Sequence, residues 1–364
     1  MAYTCTDKTA VRERTPMHLF RNDYSEGACP EVLDALVRTN AEQCVGYTCD
    51  EHCARAAKLI VEACELEEGE ADVHFVVGGT AANVISLCGL LDRPYDAAVC
   101  TPDGHINTHE TGALESCGHK VLASRDTDGL LTPAEVARIA AENAAFANHM
   151  TRPRAIYVSD TTELGGVYTK DQLSALRTCA DELGMKLFVD GARLGSALTS
   201  SANDLTLPEI AHLADAFYIG GTKNGLLFGE AVIIRDPQLR QDFPWLMKQH
   251  QNLLAKGRLL GVQFEAAFEN GGRVYWDCAR NANARATQLR EGLLTHGWRE
   301  WLPSVSNQLF FEVPCAAAGR FVDALGCEVF FDHGDTQVVR FVTSWATTSA
   351  DVEEALAFAA GLAR

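Results

Sequence analysis

The sequence predicts an α/β protein: a mostly parallel central sheet covered by helices, followed by a smaller C-terminal α+β domain. Three observations lead there. From residue 73 to about 235, short apolar or β-branched runs alternate with amphipathic stretches of helical period. Asp190 closes one of these runs and Lys223 follows another, as expected where strands of a parallel sheet end at a ligand. After about residue 245 the alternation gives way to long helical stretches.

Strand candidates occupy residues 73–77, 97–100, 120–123, 155–159, 186–189, 216–220 and 231–234. Helical periodicity fills several gaps, at 81–91, 133–147, 170–183 and 207–213. Apolar strands alternating with helices imply a sheet buried on both faces. Downstream, helices at 256–269 and 274–296 lead to a strand at 308–313 and a helix at 320–325. Strands at 328–331 and 338–343 and a closing helix at 351–362 complete the smaller domain. No flexible linker marks the boundary, which is placed between a large domain, 1–245, and a small one, 246–364.

With 47% hydrophobic and 22% charged residues, the 364-residue chain can bury a sizeable core. Its 31 basic against 49 acidic residues leave a net charge of −18, which argues against nucleic-acid and membrane-surface partners. A small zwitterionic ligand is compatible with that field, because a few arginines in a cleft reverse it locally. Residues 1–15 carry charges without an apolar stretch, so no signal peptide is expected, and no run has the apolar length to span a bilayer. Thirteen scattered cysteines, an odd number, point to reduced thiols and a cytoplasmic setting rather than a disulfide framework.

The central chemical signal is a spaced pair. In LFVDGARLG, Asp190 closes a buried strand; in AFYIGGTKNG, Lys223 follows a strand and two glycines. A carboxylate buried at a strand end is costly unless it meets a cation, and the pyridinium nitrogen of pyridoxal phosphate (PLP) is such a partner. A lysine on a glycine turn suits a Schiff base with the same cofactor. Either residue alone reads better as a solvated turn lysine or a helix-capping aspartate; the two together favour the cofactor. In VHFVVGGTAANVISL, a strand ends at Gly78-Gly79 and Thr80 opens a helix whose free N–H groups suit a phosphate. Thr80 as a plain N-cap is compatible with that. Neither the P-loop nor the dinucleotide fingerprint is matched.

At this point the chain resembles the low-specificity L-threonine aldolases, within the β-eliminating lyase group of fold-type I PLP-dependent transferase-like enzymes. The likeness runs from about residue 20 to 345. It is carried by FRNDYSEGACPE (20–31), VGYTCDEHCARAAKLI (45–60), VGGTAAN (77–83), GHINTHETGA (104–113), TTELGGVYT (161–169), FVDGARLG (188–195), GGTKNG (220–225) and VRFVTSW (339–345). The resemblance implies that Lys223 carries PLP, Asp190 pairs with its ring nitrogen, His105 lies over the ring, and Gly79 and Thr80 take the phosphate. It implies that Arg193 and Arg340 clamp a substrate carboxylate from two strand ends, with Asn22 nearby. Tyr47 would lie in a loop given across a dimer interface. Lys256 and Arg258 would reach a neighbouring subunit's phosphate. A homodimer or homotetramer with shared sites follows from those last two, and the resemblance as a whole implies a small amino-acid substrate.

Two departures bear on substrate. Tyr47 is followed by Thr48 and Cys49 where many relatives have glycine, which removes backbone freedom. Glu163 stands where one branch of the family has a histidine to take the β-hydroxyl proton; it reads equally as that base or as a solvated loop residue. His109 and Glu110 are assigned structural roles, and nothing in the sequence places His333. Cys44, Cys49, His52, Cys53 and Cys64 lie close enough to suggest zinc, but Cys49, His52 and Cys53 fit helix-face spacing and no paired C-x-x-C is present, so helix packing is the better explanation. No metal is expected. The favoured activity is cleavage of threonine or allo-threonine to glycine and acetaldehyde. β-Elimination, racemisation or transamination on another amino acid is the alternative, and a non-catalytic PLP-binding protein is the reading from a different class.

Overall fold

A computed structural model describes residues 18–362; the opening segment 1–15, on which the signal-peptide expectation rests, lies outside them. Seven strands, β1 (Asp72–Val76), β2 (Asp96–Cys100), β3 (Lys120–Ala123), β4 (Arg152–Ser159), β5 (Lys186–Asp190), β6 (Ala216–Gly220) and β7 (Glu230–Ile234), form one sheet in the order β1-β7-β6-β5-β4-β2-β3. β2 to β6 are mutually parallel, whereas β7 pairs antiparallel with both β1 and β6. The mostly parallel sheet is therefore as expected, with one reversed strand.

Side chains alternate strictly between two apolar clusters. Ile156, Val158, Leu187, Val189, Phe217 and Ile219 enter one, and Ala155, Tyr157, Phe188, Ala216 and Tyr218 the other. Helices cover both faces, so β2, β6 and β7 are buried along their whole length. Each large apolar side chain so buried contributes roughly 1.5–3 kcal/mol. Because β1, β4, β5 and β6 all run the same way, their carboxyl ends share one edge with the start of the reversed β7.

A second sheet, β8 (Arg299–Leu302), β9 (Gln308–Pro314), β10 (Glu328–His333) and β11 (Thr336–Val342), is antiparallel in the order β10-β11-β9-β8. The helix Arg258–Thr295 joins the two units and breaks at Glu269–Gly272, where Asn270, Gly271 and Gly272 adopt left-handed backbone; the sequence reads that break as two helices. That helix packs with both sheets. Leu260, Phe264, Phe268, Tyr275 and Cys278 belong to a cluster of the large sheet, and only Ala286, Leu289 and Leu293 join the small one. Phe20 also packs with the small unit, its N–H bonded to Leu325 O and its carbonyl to Val342 N, so the N-terminal segment straddles the division.

The Asp190 turn depends on a glycine. A Cβ on Gly191 would stand 1.8 Å from the Tyr218 carbonyl oxygen, part of the backbone. Gly191→Ala is expected to cost about 1–3 kcal/mol or more by overpacking. Gly319→Ala, in the helix Cys315–Leu325 with nothing near the added methyl, should stabilise by about 0.5–1 kcal/mol. Urea midpoints measure both; equal midpoints for the two variants would refute this account of the turn.

Candidate active site

The strand ends open into a cavity of about 410 Å³ whose lining includes Gly78, Gly79, Thr80, His105, Ser159, Glu163, Asp190, Arg193, Lys223 and Glu230. Residues from six strand-end segments thus meet in one place, at a volume suited to a small cofactor and substrate.

Asp190 is buried and accepts from four neighbours. Tyr157 Oη (2.5 Å) and Asn83 Nδ2 (2.9 Å) donate to Oδ2; Tyr218 Oη and the Ala192 N–H (2.9 Å) donate to Oδ1. Burial pushes its pKa up, but His105 and these hydrogen bonds outweigh it and hold the carboxyl below its ordinary value. All of the usual acceptor positions of the carboxylate are engaged, so an N–H arriving from the cavity would share an oxygen with a neutral donor and be held largely by charge. Asn83 Nδ2 also donates to Glu110 Oε1 (2.7 Å), which lies 2.8 Å from His105 Nδ1. Burial works against protonation of His105, yet the Glu110 hydrogen bond and the charges of Asp190 and Glu163 raise its pKa overall.

Lys223 is depressed below the usual lysine value, first by burial and then by Arg193, against the pull of Asp23, Asp190 and Glu230. Glu230, at the start of β7, accepts from the Gly221 N–H and Thr222 Oγ1, both at 2.8 Å, and burial raises it to about 7. Glu163 also rises to about 7, through burial and then the charge of Asp190. It receives one hydrogen bond, from Ser159 Oγ at 3.2 Å. Arg193 donates through Nε (2.7 Å) and Nη2 (3.1 Å) to both oxygens of buried Asp23, while Asn307 Nδ2 donates to the same aspartate at 2.8 Å.

The structure gathers Lys223, Asp190, His105, Glu163, Arg193, Gly79 and Thr80 into this lining; the other candidates lie outside it. Arg340 sits inside β11 rather than at its end, pairs with Glu328 at 2.6 Å and stacks over Phe330. Asn22 Oδ1 accepts from the Tyr24 N–H (3.0 Å) and Ser25 Oγ (2.8 Å), so it shapes its own turn. Tyr47 is exposed, with the Lys248 ammonium 5.0 Å from its ring centroid. Both Tyr47 and Thr48 hold left-handed backbone, at φ 62° and 61°, although neither is glycine. Lys256 is exposed. Arg258 donates to the Thr39 and Asn40 carbonyls, the C-terminal end of the helix Pro30–Thr39. His333 is exposed and paired with Glu312, away from the cavity. The N-cap of the helix Gly79–Leu90 is Gly78, not Thr80, and no side chain caps it, which leaves its first N–H groups open at the cavity. Gly79 has a second use: a Cβ there would come within 3.0 Å of Tyr218 Oη.

The Beta-eliminating lyase family profile matches residues 20–297. The chain belongs to the β-eliminating lyase family. It is 32% identical to the low specificity L-threonine aldolase of Pseudomonas sp. (strain NCIMB 10558), over 92% of this chain and 95% of that one. Threonine aldolase of Leishmania major superposes with a TM-score of 0.91 at 41% identity, covering 95% of this chain and all (100%) of that one. A putative L-allo-threonine aldolase of Listeria monocytogenes reaches a TM-score of 0.73 at 18% identity over 96% of each chain, a likeness of fold. Enzymes of this β-eliminating lyase family are PLP-dependent lyases. The residues present fit that cofactor: a buried lysine with a depressed pKa, an anionic aspartate, and an uncapped helix N-terminus share one cavity.

The Asp23–Arg193 pair is the most exposed to test. Asp23→Ala would leave a buried guanidinium unpaired and should cost about 3–5 kcal/mol, seen as a lower urea midpoint. If the midpoint does not move, the pair does not hold Arg193.

Proposed function

We propose that the protein cleaves the Cα–Cβ bond of a β-hydroxy-α-amino acid such as L-threonine or L-allo-threonine, giving glycine and an aldehyde. Support comes from the aldolases it is similar to and, above all, from one observation: a carboxyl of pKa about 7, Glu163, in the same lining as Lys223 and Arg193. Aldol cleavage requires a base for the β-hydroxyl proton, and a group poised near the working pH suits it. PLP, when bound, supplies a ring that accepts the electron pair released from the breaking bond.

The chain's own residues do the rest. Lys223, depressed toward its neutral amine, would hold the cofactor covalently. Asp190, held ionised by its donors, supplies negative charge for the ring nitrogen. The open N–H groups at Gly79 and Thr80 would take the phosphate. His105, fixed through Nδ1 by Glu110, would lie against the ring face. Arg193 spends Nε and Nη2 on Asp23 and keeps Nη1 for the substrate carboxylate. Arg340 would have to leave Glu328 to join it. Glu163 takes the hydroxyl proton.

Two further readings belong with this one. The exposed side chains of Leu33, Val37, Val45, Tyr47 and Trp245 favour a homodimer or homotetramer in which the Tyr47 loop, Lys256 and Arg258 serve a neighbour. Twelve cysteines among the described residues are free, as suits a cytoplasmic enzyme, and no described helix is long and apolar enough to cross a membrane.

With PLP-loaded protein, threonine should yield glycine and acetaldehyde, and Lys223→Ala none; a 2-oxo acid with ammonia would replace this reading by elimination. Because the ionised carboxylate is the base, kcat/KM should rise about tenfold per pH unit below about 7 and level above it. Glu163→Gln should lower kcat by about 10²–10⁴ and remove that limb; an unchanged profile would exclude Glu163 as the base. Sedimentation equilibrium should find dimers or tetramers, and an active monomer would contradict the shared site.

A further inference from the structure

Outside the cavity, three metal-ligating side chains from distant parts of the chain converge. The sulfurs of Cys88 and Cys117 and a ring nitrogen of His250 all lie within 4.8 Å of one another, each residue half-buried. We propose that Cys88, Cys117 and His250 form a binding site for a thiophilic divalent cation of the Zn²⁺ class, with water as the fourth ligand.

The fold builds this convergence from rigid parts. Cys88 lies near the end of the helix Gly79–Leu90, one residue before Gly89. At Gly89 the helix Pro237–Gln249 comes so close that a Cβ would stand 2.1 Å from Leu239 Cδ1 and 2.8 Å from Leu246 Cδ1. That contact brings His250, the residue just past the second helix, up to Cys88. Cys117 follows the short helix Ala113–Ser116, whose Leu114 is buried with Leu87, Leu239 and Met247 in a single apolar cluster. All three ligands therefore ride on elements fixed by one core.

The donor set matches the ion. Zn²⁺ takes thiolate at about 2.3 Å and imidazole at about 2.0–2.1 Å in a tetrahedron, so ligand atoms a few ångströms apart need only close in around it. Two thiolates neutralise the cation without a further counter-charge. The His250 ring makes no hydrogen bond among the described residues; only its backbone does. A second group, Glu42, Cys44 and His52, is less suited, because both His52 nitrogens are already taken, by Glu42 at 2.8 Å and Glu265 at 2.6 Å.

A filled site would also brace the strand end that opens the cavity. Asn252 donates to the His250 carbonyl (2.9 Å) and accepts the Val77 N–H (3.1 Å), next to Gly78.

The test uses the full chain, reduced and freed of metal with a chelator. Zn²⁺ titrated against a chromophoric chelator should bind at one equivalent per chain. Co²⁺ should give intense tetrahedral d–d bands and thiolate-to-cobalt charge transfer in the unaltered protein, a readout independent of any variant's folding. Cys88→Ser, Cys117→Ser and His250→Gln should each weaken binding by at least about 100-fold, since losing even an outer partner of a metal ligand costs roughly 10–100-fold. Cys44→Ser should leave it unchanged. A Co²⁺ spectrum without thiolate bands, binding lost in Cys44→Ser but kept in Cys88→Ser, or a Cys88–Cys117 disulfide in freshly isolated protein would each overturn the proposal.

Discussion

A carboxylate kept ionised without contact with bulk water is the constraint around which this molecule is arranged. Removing such a group from water costs several kcal/mol even after relaxation, so its surroundings must restore what water supplied. Asp190 is restored from four directions, and the sources show why the sheet is built as it is. Tyr157 and Tyr218 come from β4 and β6, the strands on either side of β5, and point to the same face as Phe188, two residues before Asp190. Strand parity thus delivers two hydroxyls to one oxygen pair. The glycine after Asp190 lets the chain turn tightly enough for the Ala192 N–H to reach back.

The network extends beyond that first ring of donors. Asn83 bridges Asp190 to Glu110, and Glu110 fixes His105, so the orientation of the histidine and the charge of the aspartate are set by one connected set of side chains. Such networks are worth more complete than in parts, because each buried member left unpaired carries its full desolvation cost. Asp23 and Arg193 form a second, separate pair on the same cavity, again with Asn307 supporting the carboxylate.

The sheet and the Lys223–Asp190 pair were legible in the sequence because both depend on local order: apolar runs of strand length and chemistry placed at their ends. The second sheet was less so. β8 is short and only partly buried, and the helix Cys315–Leu325 begins in an alanine run without polar contrast. Nothing in the sequence singles out Asp23, Asn83, Glu110 and Glu230 as functional neighbours, although the motifs that carry the resemblance contain all but Glu230. Periodicity says which face a residue takes, not which distant side chain it meets. The resemblance points to Asn22 rather than Asp23, one position away; in a turn that difference decides whether a side chain caps the loop or reaches Arg193. The strand over 338–343 is legible, but its pairing is not: the hairpin register lays Arg340 across from Glu328, inside the strand rather than at its end.

Three acids on one cavity illustrate how a fold divides labour between identical groups. Asp190, Glu163 and Glu230 are all buried, and burial pushes each pKa up. What separates them is the count of donors. Four donors and the nearby His105 carry Asp190 below its ordinary value, whereas Glu163, with the single Ser159 hydroxyl, and Glu230, with two donors, are left near 7. Burial is the larger cause of the rise at both glutamates, and the ionised Asp190 adds to it, so the fixed charge reinforces what burial begins. A carboxylate dedicated to holding charge and another poised to move a proton thus share one buried cavity, and the donors each receives set them apart.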